Sequence, residues 1–162
     1  PLLKFEETRS MMATFVTVTV YSADEKTAEE AISAAFARME EIERIASIFD
    51  EQSEASQLNR DGHLEAPSDD LLKIVAMSAD YSHITDGYFD ITIQPLLDLW
   101  AGGLWQESEA VQQSRIDETM GFIGWDKISL EDNGIYLVTI TVADDDADLF
   151  HIGCLSLISC KV

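Results

Sequence analysis

Residues 14 to 21, Thr-Phe-Val-Thr-Val-Thr-Val-Tyr, alternate strictly. Val16, Val18 and Val20 fall on one face, and Phe15, Thr17, Thr19 and Tyr21 on the other. β-branched residues at period two predict a strand. Ser22-Ala23-Asp24 leads into a helix, with Ser22 or Asp24 placed to cap it. From Glu25 to about Ile48 the period changes. Ile32, Phe36, Met39, Ile42, Ile45 and Phe49 recur three or four apart, with Glu29, Glu30, Glu40, Glu41 and Glu43 mostly on the far side. No Gly or Pro interrupts the run, so the pattern predicts a long amphipathic helix laid across a sheet.

Residues 50 to 67 read as a polar, irregular connection, with a charged stretch of similar character at Lys4 to Arg9. Pro67-Ser68-Asp69-Asp70 then starts a second helix, with Ser68 as cap and two acids at the positive helix end. Leu71, Leu72, Val75 and Ala79 supply its expected buried stripe, and Gly87 can take the left-handed conformation that stops it at Thr85-Asp86-Gly87. Tyr88 to Thr92 and Pro95 to Trp100 follow, then the turn Gly102-Gly103. Ser114 to Met120 reads as a short helix with a Ser114-x-x-Asp117 cap. Ile128 to Leu130 and Ile135 to Val142 flank Asp132-Asn133-Gly134, a hairpin in which Asn-Gly would supply the positive φ angles of a tight turn. No repeat or linker separates these elements. The expectation is one domain over residues 1–162, of α+β class, with a mixed or antiparallel sheet packed by long amphipathic helices.

Composition narrows the function classes. The 162 residues are 46% hydrophobic and 25% charged, which suits a globular domain and not a disordered one. Asp and Glu number 31 against 10 Lys and Arg, a net charge of −21 that repels phosphate backbones and anionic lipid, so no nucleic-acid partner is expected. The acidity fits either a solvated surface or carboxylates gathered for a divalent cation, and composition leaves both open. Cys154 and Cys160 make no disulfide framework. Asp148, His151, Cys154 and Cys160 are residue types that bind transition metals, but at no familiar zinc spacing. Ser53, Ser56 and Ser68 lack a G-x-S-x-G context, His63 and His83 stand alone, and no Gly-rich phosphate loop is present.

Four segments, in order, resemble the ApbE family of flavin transferases. Met12-Ala13-Thr14 is similar to that family's Met-Gly-Thr start, with Ala13 in place of Gly. Ser47-Ile48-Phe49-Asp50 through Ser53-Glu54-Ala55-Ser56-Gln57-Leu58-Asn59 resembles its S-x-[YF]-x-x-x-S-x-x-S-x-L-N segment. Thr85-Asp86-Gly87-Tyr88-Phe89-Asp90-Ile91-Thr92, continuing through Gln94-Pro95-Leu96-Leu97-Asp98-Leu99-Trp100, resembles G-x-[FM]-D-x-T-x-x-P-L-x-x-L-W, the most specific of the four. Gly124-Trp125-Asp126-Lys127-Ile128 resembles its G-W-x-x-[VI]. A fifth landmark is partial: Asp148 fits the family's flavin-binding Asp, but Cys154-Leu155-Ser156-Leu157 replaces the Lys-Gly-Tyr-type sequence that should follow, so residues 143–162 are an atypical tail.

The resemblance implies an ApbE-like fold, truncated relative to the family, and an Mg²⁺-dependent FAD:protein FMN transferase that moves FMN from FAD to a Thr or Ser of an acceptor flavoprotein. It implies that Met12, Phe49, Tyr88, Phe89, Asp90 and Asp148 contact FAD and that the carbonyl of His151 binds Mg²⁺. Aromatic and thioether side chains suit a flat tricyclic ring through stacking and sulfur contact. The residues taken singly leave ordinary roles open: core packing for Met12 and Phe49, a strand for Tyr88 and Phe89, a turn cap for Asp90. The family's principal metal carboxylate and catalytic His have no counterpart here, so no catalytic residue is assigned. The alternative from another class is a non-catalytic flavin-binding module that forms a homodimer or needs the missing half from a partner chain. Family members are often exported, so the location implied is periplasmic or membrane-anchored if an export segment has been removed, and cytoplasmic otherwise.

Overall fold

A computed structural model describes residues 1–137. They fall into two compact units, residues 1–45 and the remainder from residue 46. Asp148 and His151, the end of the last expected strand (138–142), the Asp144–Asp146 run and both cysteines lie outside the described residues.

The first unit is a hairpin under a helix. Strand β1 (Leu3–Met11) pairs antiparallel with β2 (Thr14–Ser22), from Leu3 opposite Ser22 to Met11 opposite Thr14. β2 carries the expected alternation, with Val16, Val18 and Val20 inward. β1 corrects the reading of Lys4–Arg9 as a merely charged stretch. Phe5, Arg9 and Met11 share its inner face, and the guanidinium of Arg9 lies 4.3 Å from the centre of the Phe36 ring, so a charged residue occupies an inward position. On the outer face Thr8 and Thr17 bond at 2.8 Å, and Glu6 accepts from Thr19 at 2.8 Å and pairs with Lys4 at 2.6 Å. Helix α1 (Glu25–Ala46) packs Ile32 and Phe36 against Met11, with Phe5, Met12, the three valines and Met39 around them. Its cap is Asp24, whose carboxylate accepts from the Thr27 backbone N–H at 2.8 Å and its hydroxyl at 2.6 Å. Those bonds hold the Asp24 carboxyl below its ordinary pKa, the Thr27 hydroxyl contributing most. The helix stops before Phe49, which therefore does not extend the apolar stripe.

The second unit packs helices with a three-stranded antiparallel sheet, in which β5 (Gly134–Leu137) lies between β3 (His63–Glu65) and β4 (Ile128–Glu131). The stretch 50–67, expected to be irregular, holds helix α2 (Glu54–Asp61) and strand β3 (His63–Glu65). α2 is short and mostly polar, so it shows little periodicity, yet both ends are specified. Ser53 caps its start by accepting from the Ser56 N–H, and Gly62 at φ 72° closes it through its N–H to Leu58. Helix α3 (Asp69–Ile84) starts as expected, with Ser68 accepting from the Leu71 N–H. Leu71 and Val75 are fully buried, and Ser78 and Ser82 continue that face with hydroxyls bonded to the carbonyls of Ile74 and Ser78. Helix α4 (Gln94–Ala101) begins with Pro95 in its first turn, where the missing N–H is harmless. Helix α5 runs Glu109–Met120, longer than expected. Ser114 lies inside it and bonds Glu118, while Ser108 is the residue before its first turn. Strands β4 (Ile128–Glu131) and β5 (Gly134–Leu137) form the expected hairpin. Its two-residue turn, Asp132-Asn133, uses no positive φ, contrary to the Asn-Gly reading. Gly134 is a strand residue, and its importance is close approach: a Cβ there would collide with the backbone carbonyl of Leu64 on β3.

Among the described residues no helix is long and apolar enough to cross a membrane.

Candidate functional site

Two loops of the second unit carry the aromatic residues singled out above, and each is built by the polar residues of its own motif. The first loop joins α1 to α2. The carbonyl of Ser47 accepts from the hydroxyls of both Ser53 and Ser56, and the Ser47 hydroxyl accepts from the Phe49 N–H at 3.2 Å. Asp50 ties the loop again, its carboxylate accepting from the Gln52 N–H at 2.9 Å and its carbonyl from the Ser53 N–H at 3.0 Å. The three serines of the motif thus wrap the chain around one carbonyl. Phe49 is displayed at 69% exposure. The same motif ends at Asn59, whose side-chain oxygen is buried without a hydrogen-bond partner among the described residues. A buried acceptor left open is uncommon and fits a donor supplied from elsewhere.

The second loop leaves α3. Asp86 at φ 53° and Gly87 at φ 80° reverse the chain, and the Gly87 N–H bonds back to Ser82 at 2.9 Å. No atom lies within 4 Å of where a Gly87 Cβ would sit, so the glycine there answers a backbone need rather than a space need. Thr85 holds the near side, its hydroxyl donating to Tyr81 at 2.7 Å and accepting from the Phe89 N–H at 3.1 Å. Asp90 holds the far side. One carboxylate oxygen accepts from the Thr92 N–H (2.8 Å) and hydroxyl (2.7 Å), and the other from the Trp125 N–H (2.9 Å). The Thr92 hydroxyl in turn accepts from the Gly124 N–H at 2.8 Å. Trp125 also meets the ring of His83 edge-on, 5.7 Å between centroids.

Between these anchors stand Tyr88, 96% exposed, and Phe89, 38% exposed with its ring 6.3 Å from Tyr81 in an edge-to-face contact. Neither is in a strand. The structure thus brings Tyr88, Phe89 and Asp90 together on one loop and sets Phe49 on the other loop of the same unit. Met12 belongs to the first unit, where it packs beside Met11 and Phe36 at φ 51° and donates its N–H to Glu43 at 3.0 Å. Residues the sequence reasoning passed over are Thr92, Ser47, Ser53 and Ser56 as loop builders, and Asn59. Their signal was present as fixed positions of the motifs, without an indication of what each bonds. Among the described residues no cluster of three or more His, Cys, Asp or Glu is arranged to hold a metal ion.

The sequence profile of the ApbE family matches residues 12–149. The FAD:protein FMN transferase of Haemophilus influenzae is 28% identical over 118 residues, covering 70% of this chain and 33% of that protein. Among solved structures, the flavinyl transferase ApbE of Pseudomonas stutzeri in its apo form aligns at a TM-score of 0.68 with 22% identity, over 85% of this chain and 45% of its own. The ApbE protein of Thermotoga maritima aligns at 0.68 with 20% identity (83% and 45%), and the flavin transferase ApbE of Vibrio cholerae at 0.64 with 22% identity (85% and 46%). Helices packed with antiparallel strands in this arrangement are the fold of the flavin transferases, as the resemblance of the four segments implied. The chain belongs to the ApbE family, and it spans from a third to just under half of the length of these relatives.

Proposed function

We propose that this chain carries flavin-recognition elements of an FAD:protein FMN transferase, with Phe49, Tyr88 and Phe89 as the side chains offered to the isoalloxazine ring. The observation that supports this most strongly is the division of labour within the two family motifs. Their Ser, Thr and Asp residues bond to the chain itself, while their aromatic residues face outward. A flat heteroaromatic ring is well matched to stacking on exposed aromatic side chains.

FAD as the donor and a flavoprotein as the acceptor of FMN go with this reading, as does Mg²⁺. When bound, that ion would neutralise charge developing on the pyrophosphate. Among the described residues no cluster of three or more His, Cys, Asp or Glu fits it.

Titrating FAD with the purified chain tests the binding part. Saturable quenching of flavin fluorescence is expected, and its absence at excess protein rejects the reading. AMP release from FAD in the presence of Mg²⁺ then separates a working transferase portion from a binding module. Quenching without AMP favours the module, and AMP release rejects it.

A further inference from the structure

Tyr88 has almost no protein surface to rest on, so its position depends on the backbone of the loop. That backbone is fixed at both ends by side chains, and the far anchor is the more extensive. Asp90 and Thr92 form a closed network with the N–H groups of Gly124 and Trp125, joining stretches 32 and 35 residues apart in sequence. A carboxylate offers about four acceptor positions, and three of those on Asp90 are filled by the protein. Thr92 is 2% exposed, and its hydroxyl both donates and accepts within the network. Gly124 takes φ 151°, a backbone conformation that L side chains rarely adopt, so a glycine at this position lets its N–H reach Thr92.

We propose that Asp90 and Thr92 are positioning residues of the flavin site. They preset the Tyr88-Phe89 pair for ring stacking, without contacting the ring themselves. The inference rests on the function proposed above and departs from the expectation that Asp90 touches FAD. A loop that is already ordered binds without the entropy loss of ordering it, and that is the source of the affinity the network contributes. Charge-assisted bonds to backbone N–H groups suit this task, being strong and fixed in direction.

FAD titration and amide hydrogen exchange, on the wild-type chain and its variants, test the idea. Thr92→Val is expected to weaken FAD binding about tenfold or more and to speed exchange at the Gly124 N–H. Thr92→Ser should restore most of the affinity. Asp90→Asn, which turns an NH2 donor toward either the Trp125 N–H or the two Thr92 donors, should weaken binding at least as much as Thr92→Val. In a Tyr88→Ala, Phe89→Ala background, Thr92→Val should cause no further loss, because the network then has no stacking pair to position. Loss of equal size in both backgrounds would mark a merely structural role and overturn the proposal. So would wild-type affinity in Thr92→Val, or a loss on Asp90→Asn that persists in full in the Tyr88→Ala, Phe89→Ala background, which would make Asp90 a direct ligand. Failure of the wild-type chain to quench FAD would instead reject the flavin reading itself.

Discussion

The two hairpins close on two-residue turns of opposite character. In the first, Met12 and Ala13 both sit at positive φ, 51° and 57°, a conformation that L side chains pay for at roughly 1–2 kcal/mol each. In the second, Asp132 and Asn133 stay at negative φ, although Asn-Gly is the pair best suited to the positive-φ turn. The strain of the first turn is held by its surroundings. Met11 is buried against Ile32 and Phe36, Met12 packs on the same cluster, and the Met12 N–H is fixed by Glu43. The glycine of the second hairpin is required a position later, where β3 approaches too closely for a side chain. Turn residues therefore have to be interpreted with their packing, since packing holds Met12 and Ala13 at positive φ while Gly134 provides clearance.

Removing the support of the strained turn should have the largest effect. Phe36→Ala is expected to cost about 3–5 kcal/mol, read as a lower urea midpoint, and a loss under about 1 kcal/mol would show that the cluster does not carry the first unit. Gly134→Ala should cost about 1–3 kcal/mol from forced repacking, whereas a neutral result would mean the β3-β5 approach yields easily. Ala13→Gly works in the other direction. Relief of the positive φ outweighs the added chain entropy, so a net gain of about 0.5–1 kcal/mol is expected; destabilisation would show that Ala13 is not strained. The smallest effect is the acid response of the α1 cap. The folded-state pKa of Asp24 is lowered, so its contribution is complete above the ordinary carboxylate value of about 4 and is lost as pH falls through the lowered one. Asp24→Asn should flatten that part of the acid-unfolding curve relative to wild type, and identical curves would remove Asp24 from the account.

Period-two and period-3.6 patterns made β2, α1 and α3 legible, although Ser78 and Ser82 continue the buried face of α3, and the β4-β5 hairpin was legible from its Asn-Gly even though that pair does not form the turn as expected. β1 was hidden by Arg9 and by glutamates on both faces, its pattern completed only by a guanidinium resting on Phe36. α2 was hidden because two residues, Ala55 and Leu58, suffice to anchor so short a helix, while its caps at Ser53 and Gly62 resembled ordinary loop residues. The site was legible as motif spacing but not as roles. Ser47, Ser53 and Ser56 converge on one carbonyl, and Asp90 reaches Trp125 from 35 residues away, and such partners are set by the folded chain and leave no local periodicity.

The central claim is that the outward aromatic residues on the two motif loops meet a flavin ring. Fluorescence titration of FAD with the wild-type chain beside Phe49→Ala and Phe89→Ala tests it most directly. Saturable quenching that weakens about tenfold or more with each aromatic removed is the predicted result, in line with the stacking and area lost. Quenching of equal strength in all three proteins would contradict it.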